Sequence, residues 1–91
     1  MTSHPGPHLR ELIDKTGLRQ VTVARQVGVT TKHLNQILQG RALPSLLVTI
    51  ALARVLRADP HALWRMVADY QIDRALGVAR EDARSGVRSQ D

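Results

Sequence analysis

Residues 20–39, QVTVARQVGVTTKHLNQILQ, hold two short apolar periodicities broken by one glycine. Val23, Ala24 and Val27 recur at helical spacing before Gly28, and Leu34, Ile37 and Leu38 do so after it. Thr30 is the natural N-cap of the second helix, because its hydroxyl accepts from a free backbone N–H one turn on. Val29 just before the cap and Leu34 in the next turn have the spacing of a hydrophobic staple. Gly40 supplies the stop. The stretch therefore reads as helix, tight Gly28-Val29-Thr30 turn, helix. The second helix presents Thr31, Lys32, His33, Asn35, Gln36 and Gln39 away from its apolar face.

The flanks continue the helical pattern. Leu9, Leu12 and Ile13 predict a helix from about Pro7 to Thr16, ended by Gly17. After Pro44 a helix is expected from about Ser45 to Arg57. Asp59 then caps a last helix with Pro60 at its first position, where the missing N–H costs nothing, and Gly77 is its expected end. Residues 78–91 are charged and short of apolar side chains, and are expected to form a polar tail that is either disordered or an extension of the last helix. No strand-period alternation or internal repeat stands out. The expected fold is all-α, a compact five-helix domain over residues 1–77.

Composition narrows the function. With 91 residues the chain is one small domain. No apolar run approaches the ~20 residues of a membrane-spanning helix. There is no cysteine, which removes disulfides, Cys-ligated metals and thiol nucleophiles. Met1 to Pro7 lacks the basic start and apolar core of a signal peptide, so the expected compartment is the cytoplasm. Aromatics are limited to Trp64 and Tyr70, too few for single-strand binding by base stacking.

The net charge of +5 is unevenly spread. Between Asp14 and Asp59 there is no carboxylate, while Lys15, Arg19, Arg25, Lys32, Arg41, Arg54 and Arg57 fall in that window. A charge block is often only a solvated face. Here it encloses the helix-turn-helix, and its second helix carries the amide and cationic groups that read base edges. Asn and Gln pair with adenine N6 and N7, Lys with guanine O6 and N7, and a Thr methyl packs on thymine. Thr31, Lys32, His33, Asn35, Gln36 and Gln39 therefore suit reading base edges and gripping phosphates.

At GLRQVTVARQVGVTTKHLNQILQGRALP and LARVLRADPHAL the sequence resembles the lambda-repressor-like, or XRE, helix-turn-helix regulators. The resemblance spans about Leu9 to Leu76. Gln20, Val23-Ala24 and Gly28 match the family's opening Gln, aliphatic–Ala pair and turn glycine. It implies that Thr31, Lys32 and Gln36 face bases, and that Gln20, Gln39 and Arg41 touch phosphates or brace the second helix. With it, the expected base readers are Thr31, Lys32, His33 and Gln36, and the expected phosphate ligands are Arg19, Gln20, Asn35, Gln39 and Arg41. Arg19 departs from the usual Ser or Thr cap and opposes the helix dipole by a few tenths of a kcal/mol, roughly, unless it meets a phosphate. The family's acidic residue near the end of the recognition helix is also missing. His4-Pro5-Gly6, with Trp64 and Tyr70 in the last helix, resembles the HigA/VapI antitoxin branch. That likeness implies an antitoxin that represses its own operon and binds a RelE-like mRNA-cleaving toxin.

Two helices have more apolar surface than one core requires. The fourth is apolar nearly all round, and the fifth carries a second apolar side. A two-fold homodimer through Leu47, Ile50, Ala51, Trp64, Ala68 and Ile72 is expected, on a near-palindromic duplex operator. His4 and His8 are four apart, but Pro5, Gly6 and Pro7 prevent a shared helix, so no metal is expected. Asp69 and Asp73 lack any accompanying base or nucleophile, so neither an enzyme site nor a cofactor is expected. The expected function is a sequence-specific DNA-binding repressor. The alternatives are a phage Cro-type regulator, or a toxin-neutralising interaction module with little specific DNA binding.

Overall fold

The structure, a computed structural model, describes residues 3–85 and the side chains of residues 3–77. It contains α1 (Gly6–Thr16), α2 (Gln20–Val27), α3 (Thr31–Leu38), α4 (Leu46–Leu56) and α5 (Pro60–Ser85), with no strand among the described residues. The all-α, five-helix expectation holds.

Local chemistry sets most boundaries. Gly17 and Gly28 take the left-handed conformation that ends α1 and α2, at φ 76° and 92°. Thr30 Oγ1 accepts from the His33 N–H at 3.0 Å and opens α3. Ser45 Oγ accepts from the Val48 N–H at 3.2 Å and opens α4. Asp59 Oδ1 accepts from the His61 N–H at 2.9 Å at the start of α5. The end of α3 is a Schellman motif: Arg41 N–H donates to Gln36 O at 2.9 Å and Gly40 N–H to Ile37 O at 3.1 Å. The end of α4 repeats that pattern with Arg57 in the left-handed position, φ 55°, the one non-glycine residue so placed among those described.

The core gathers Leu9 and Ile13 from α1, Val23 and Ala24 from α2, Leu34, Ile37 and Leu38 from α3, Leu52, Ala53 and Leu56 from α4, and Leu63 from α5. Each fully buried large aliphatic contributes about 1.5–3 kcal/mol. Val67 is also buried, one turn beyond Leu63 on α5. Thr49 lies among these groups but spends its hydroxyl on Ser45 O at 2.8 Å, so it adds no unpaired polar atom.

The expected end of the last helix is corrected. α5 runs through Gly77 to Ser85. Glycine ends a helix when the chain turns left-handed there, and Gly77 has no positive φ. An interior glycine costs only about 1 kcal/mol relative to alanine, and the alanine- and arginine-rich sequence on either side favours helix. Of the expected tail over 78–91, the part as far as Ser85 extends the helix, one of the two forms expected for it; residues 86–91 lie outside those described. Every side chain from Gln71 to Leu76 is exposed, so this part of α5 projects from the bundle. The molecule measures 54 × 24 × 19 Å.

Candidate nucleic-acid interface

α3 has a dry side and a wet side. Leu34, Ile37 and Leu38 are buried. At 100° per residue, Lys32, Gln36 and Gln39 lie opposite that stripe. Lys32 and Gln39 are exposed and Gln36 is half-buried. Thr31 and Asn35 flank this face on one side and His33 on the other. Thr31 is exposed, whereas Asn35 and His33 are half-buried. His33 thus stands at the border of the face next to Ile37, and its backbone N–H is already committed to the Thr30 cap.

The remaining predicted residues stand around α3. Gln20 opens α2, and its Oε1 accepts from Asn35 Nδ2 at 3.3 Å. Two predicted phosphate ligands are thus joined to each other, and the start of α2 is tied to the middle of α3. Arg19 is the N-cap residue of α2, extended at φ −74° and ψ 152°, and no side chain caps that helix. An uncapped helix start beside a guanidinium is electropositive and suited to an oxyanion. Arg41 follows Gly40 in the turn that ends α3 and is exposed.

All seven cations of the acid-free window are exposed. Arg19, Arg25, Lys32 and Arg41 stand on or beside the two-helix motif, while Arg54 and Arg57 lie at the end of α4. The wet side of α3 therefore carries no carboxylate of its own, so that helix offers a polyanion no like-charge repulsion. No helix among the described residues is long and apolar enough to cross a membrane.

A second feature lies at the start of α4 and α5. Leu46, Ile50, Pro60, His61, Trp64 and Arg65 line an open groove of about 450 Å³. Leu47 beside it is 76% exposed and Ile72 further along α5 is 56% exposed. Of the other predicted interface residues, Ile50 is exposed, and Ala51, Trp64 and Ala68 are half-buried. Pro60, His61 and Arg65 stand outside the expected interface residues, whereas Leu46 belongs to the surplus apolar surface expected on α4. Only the docking of α5 across α4 shows that they share a wall.

Comparison with known proteins agrees with this geometry. The family model described as a helix-turn-helix domain matches residues 6–65. The chain is similar to the restriction-modification controller protein C.AhdI from Aeromonas hydrophila, with 33% identity and a TM-score of 0.60 over 64% of this chain and 84% of that one. It is also similar in fold to a protein from Nostoc punctiforme described as a candidate antidote protein of a plasmid maintenance system. There the TM-score is 0.81 at 17% identity, over 98% of both chains. No curated protein matches the chain.

Proposed function

We propose, from the premise that this chain belongs to the helix-turn-helix domain family and is a DNA-binding regulator, that it reads duplex DNA as a homodimer and represses transcription. The observation that carries this reading is the wet side of α3: Lys32, Gln36 and Gln39 opposite a buried stripe, in a window of exposed cations with no carboxylate. Thr31, Lys32, His33 and Gln36 would meet base edges in the major groove. Arg19, Gln20, Asn35, Gln39 and Arg41 would meet phosphates, with Gln20 and Asn35 also bracing each other.

A second copy is the proposed occupant of the groove between α4 and α5. Leu47 is an exposed knob next to a socket lined by Leu46, Ile50 and Trp64. A knob beside its own kind of socket suits a two-fold, self-complementary contact. Two copies so joined would set two α3 helices about 34 Å apart, one turn of DNA. Selection of bound duplexes from a random pool tests the whole reading. A near-palindrome with half-sites one turn apart is expected; a pool with no enriched sequence overturns it.

An antidote role is the second reading. It draws on the His4-Pro5-Gly6 and Trp64–Tyr70 resemblance, and on Ile72 and Leu76, exposed on the projecting part of α5. Those side chains would take a toxin while α3 stays free for DNA. Co-purification with the product of a neighbouring toxin gene is the expected result, with complex formation lost on Ile72→Asp.

A further inference from the structure

The segment before α1 is built more closely than DNA contact by α3 requires. His4 spends its whole ring. Its Nδ1 accepts from the Gly6 N–H at 2.8 Å, so the proton sits on Nε2, which donates to Ala42 O at 3.1 Å. Its ring meets Tyr70 of α5 edge-on, with centroids 4.9 Å apart and planes at 71°. The neighbouring chain is equally tight. Pro5 is fully buried, and a Cβ on Gly6 would come within 2.5 Å of Ile37 O and 2.8 Å of Leu38 O. The first turn of α1 therefore rests on the last carbonyls of α3.

These contacts converge on the turn that ends α3. Gly40 is held from one side by Ile37 O, and the His4 ring lies beside it. Ala42 is held from the other side by His4 Nε2. Arg41 lies between these two fixed points with its side chain exposed. A guanidinium on a fixed backbone loses less freedom when it meets an anion than one on a mobile turn.

We propose that His4 is a positioning residue for the nucleic-acid interface. Its bond to Ala42 O fixes the backbone that carries Arg41, and its contact with Tyr70 ties that turn to α5. The inference rests on the DNA-binding reading above, because it assigns Arg41 a phosphate.

The test uses the full chain and the duplex selected from the random pool, with affinity measured across a salt series. His4→Asn keeps an acceptor for the Gly6 N–H but lacks the reach to Ala42. His4→Gln places an N–H donor at the reach of Nε2. The positioning role predicts that His4→Asn and His4→Ala weaken binding about fivefold and lower the log–log salt slope by roughly 0.9, one phosphate. His4→Gln is expected to recover the slope. Arg41→Ala added to His4→Asn is expected to cost nothing more. Circular dichroism confirms that each assayed variant is folded, and the Asn–Gln pair carries the test if His4→Ala is not. A wild-type slope in His4→Asn, or losses that multiply with Arg41→Ala, overturns the inference while leaving the DNA reading intact. Wild-type protein with no salt-dependent duplex binding overturns both.

Discussion

Asn35 Nδ2 donates to Gln20 Oε1 across 3.3 Å, linking the middle of α3 to the first residue of α2. The two helices of the motif thus share a polar bond as well as the apolar contact among Val23, Ala24 and Leu34. Both side chains are half-buried, so neither has full access to water as a substitute partner. Gln20→Ala and Asn35→Ala are each expected to cost about 1 kcal/mol of stability, and the double variant less than the two together. Urea unfolding of the four proteins measures this; strictly additive losses would show that the pair does not act as a unit.

Base reading and phosphate holding are expected to separate. Gln36→Ala should lose about 1–3 kcal/mol of discrimination at one base position and leave the others unchanged. Arg41→Ala should weaken all sequences alike and lower the salt slope by about 0.9. Competition against single-base variants of the selected site distinguishes the two. An unchanged sequence preference in Gln36→Ala would mean that α3 docks in another orientation.

Arg19 sets stability against binding. It occupies the N-cap of α2 without capping it. Arg19→Ser supplies the missing acceptor and is expected to raise stability by about 1 kcal/mol. For a domain of this size the thermal midpoint would rise by about 4–8 °C. The same change removes a proposed phosphate ligand, so DNA affinity should fall as the midpoint rises. A variant improved in both would remove Arg19 from the interface.

Two glycines are expected to fail for opposite reasons. At Gly28 a Cβ would have open space, but φ is 92°. Gly28→Ala should cost about 1–2 kcal/mol from backbone conformation alone. At Gly6 the backbone is ordinary helix, but a Cβ would strike Ile37 O and Leu38 O. Gly6→Ala should cost about 2–3 kcal/mol, because two backbone carbonyls have to move. Thermal unfolding orders the two, and an unperturbed Gly6→Ala would contradict the close approach of α1 to α3.

Leu47 tests the second copy. It is exposed in the single chain, so Leu47→Asp should change monomer stability by no more than about 0.5 kcal/mol. Across a two-fold axis it would set like charges in an apolar contact. Light scattering is expected to show a dimer for the wild type and a monomer for Leu47→Asp, with affinity for a two-half-site duplex lost in parallel. A wild-type monomer at micromolar concentration would remove the dimer.

What the sequence made legible is local. Thr30, Ser45 and Asp59 announce helix starts because their side chains bond nearby N–H groups, and Gly17, Gly28 and Gly40 announce ends because they accept a positive φ. The side chains facing out from α3 follow from the 3.6-residue period. Gly77 misled because an isolated glycine carries no information about whether the chain turns there. Arg57 gave no sign of its left-handed backbone, since arginine is not a residue that favours it. The role of His4 was hidden for another reason: its partners Ala42 and Tyr70 are 38 and 66 positions away, and only the packed bundle brings them together.

The projecting end of α5 also governs how this protein behaves in solution. A compact chain of this length has a radius of gyration near about 12 Å, whereas the observed value is 15.9 Å. Hydrodynamic friction grows with elongation at constant mass. The monomer should therefore diffuse slowly and elute early from a sizing column, with an apparent mass shifted toward that of a dimer. Shortening the chain after Tyr70 should move the elution later by more than the deleted mass explains. Self-association is therefore to be judged from scattered intensity or sedimentation equilibrium, which weigh the particle and are blind to its shape.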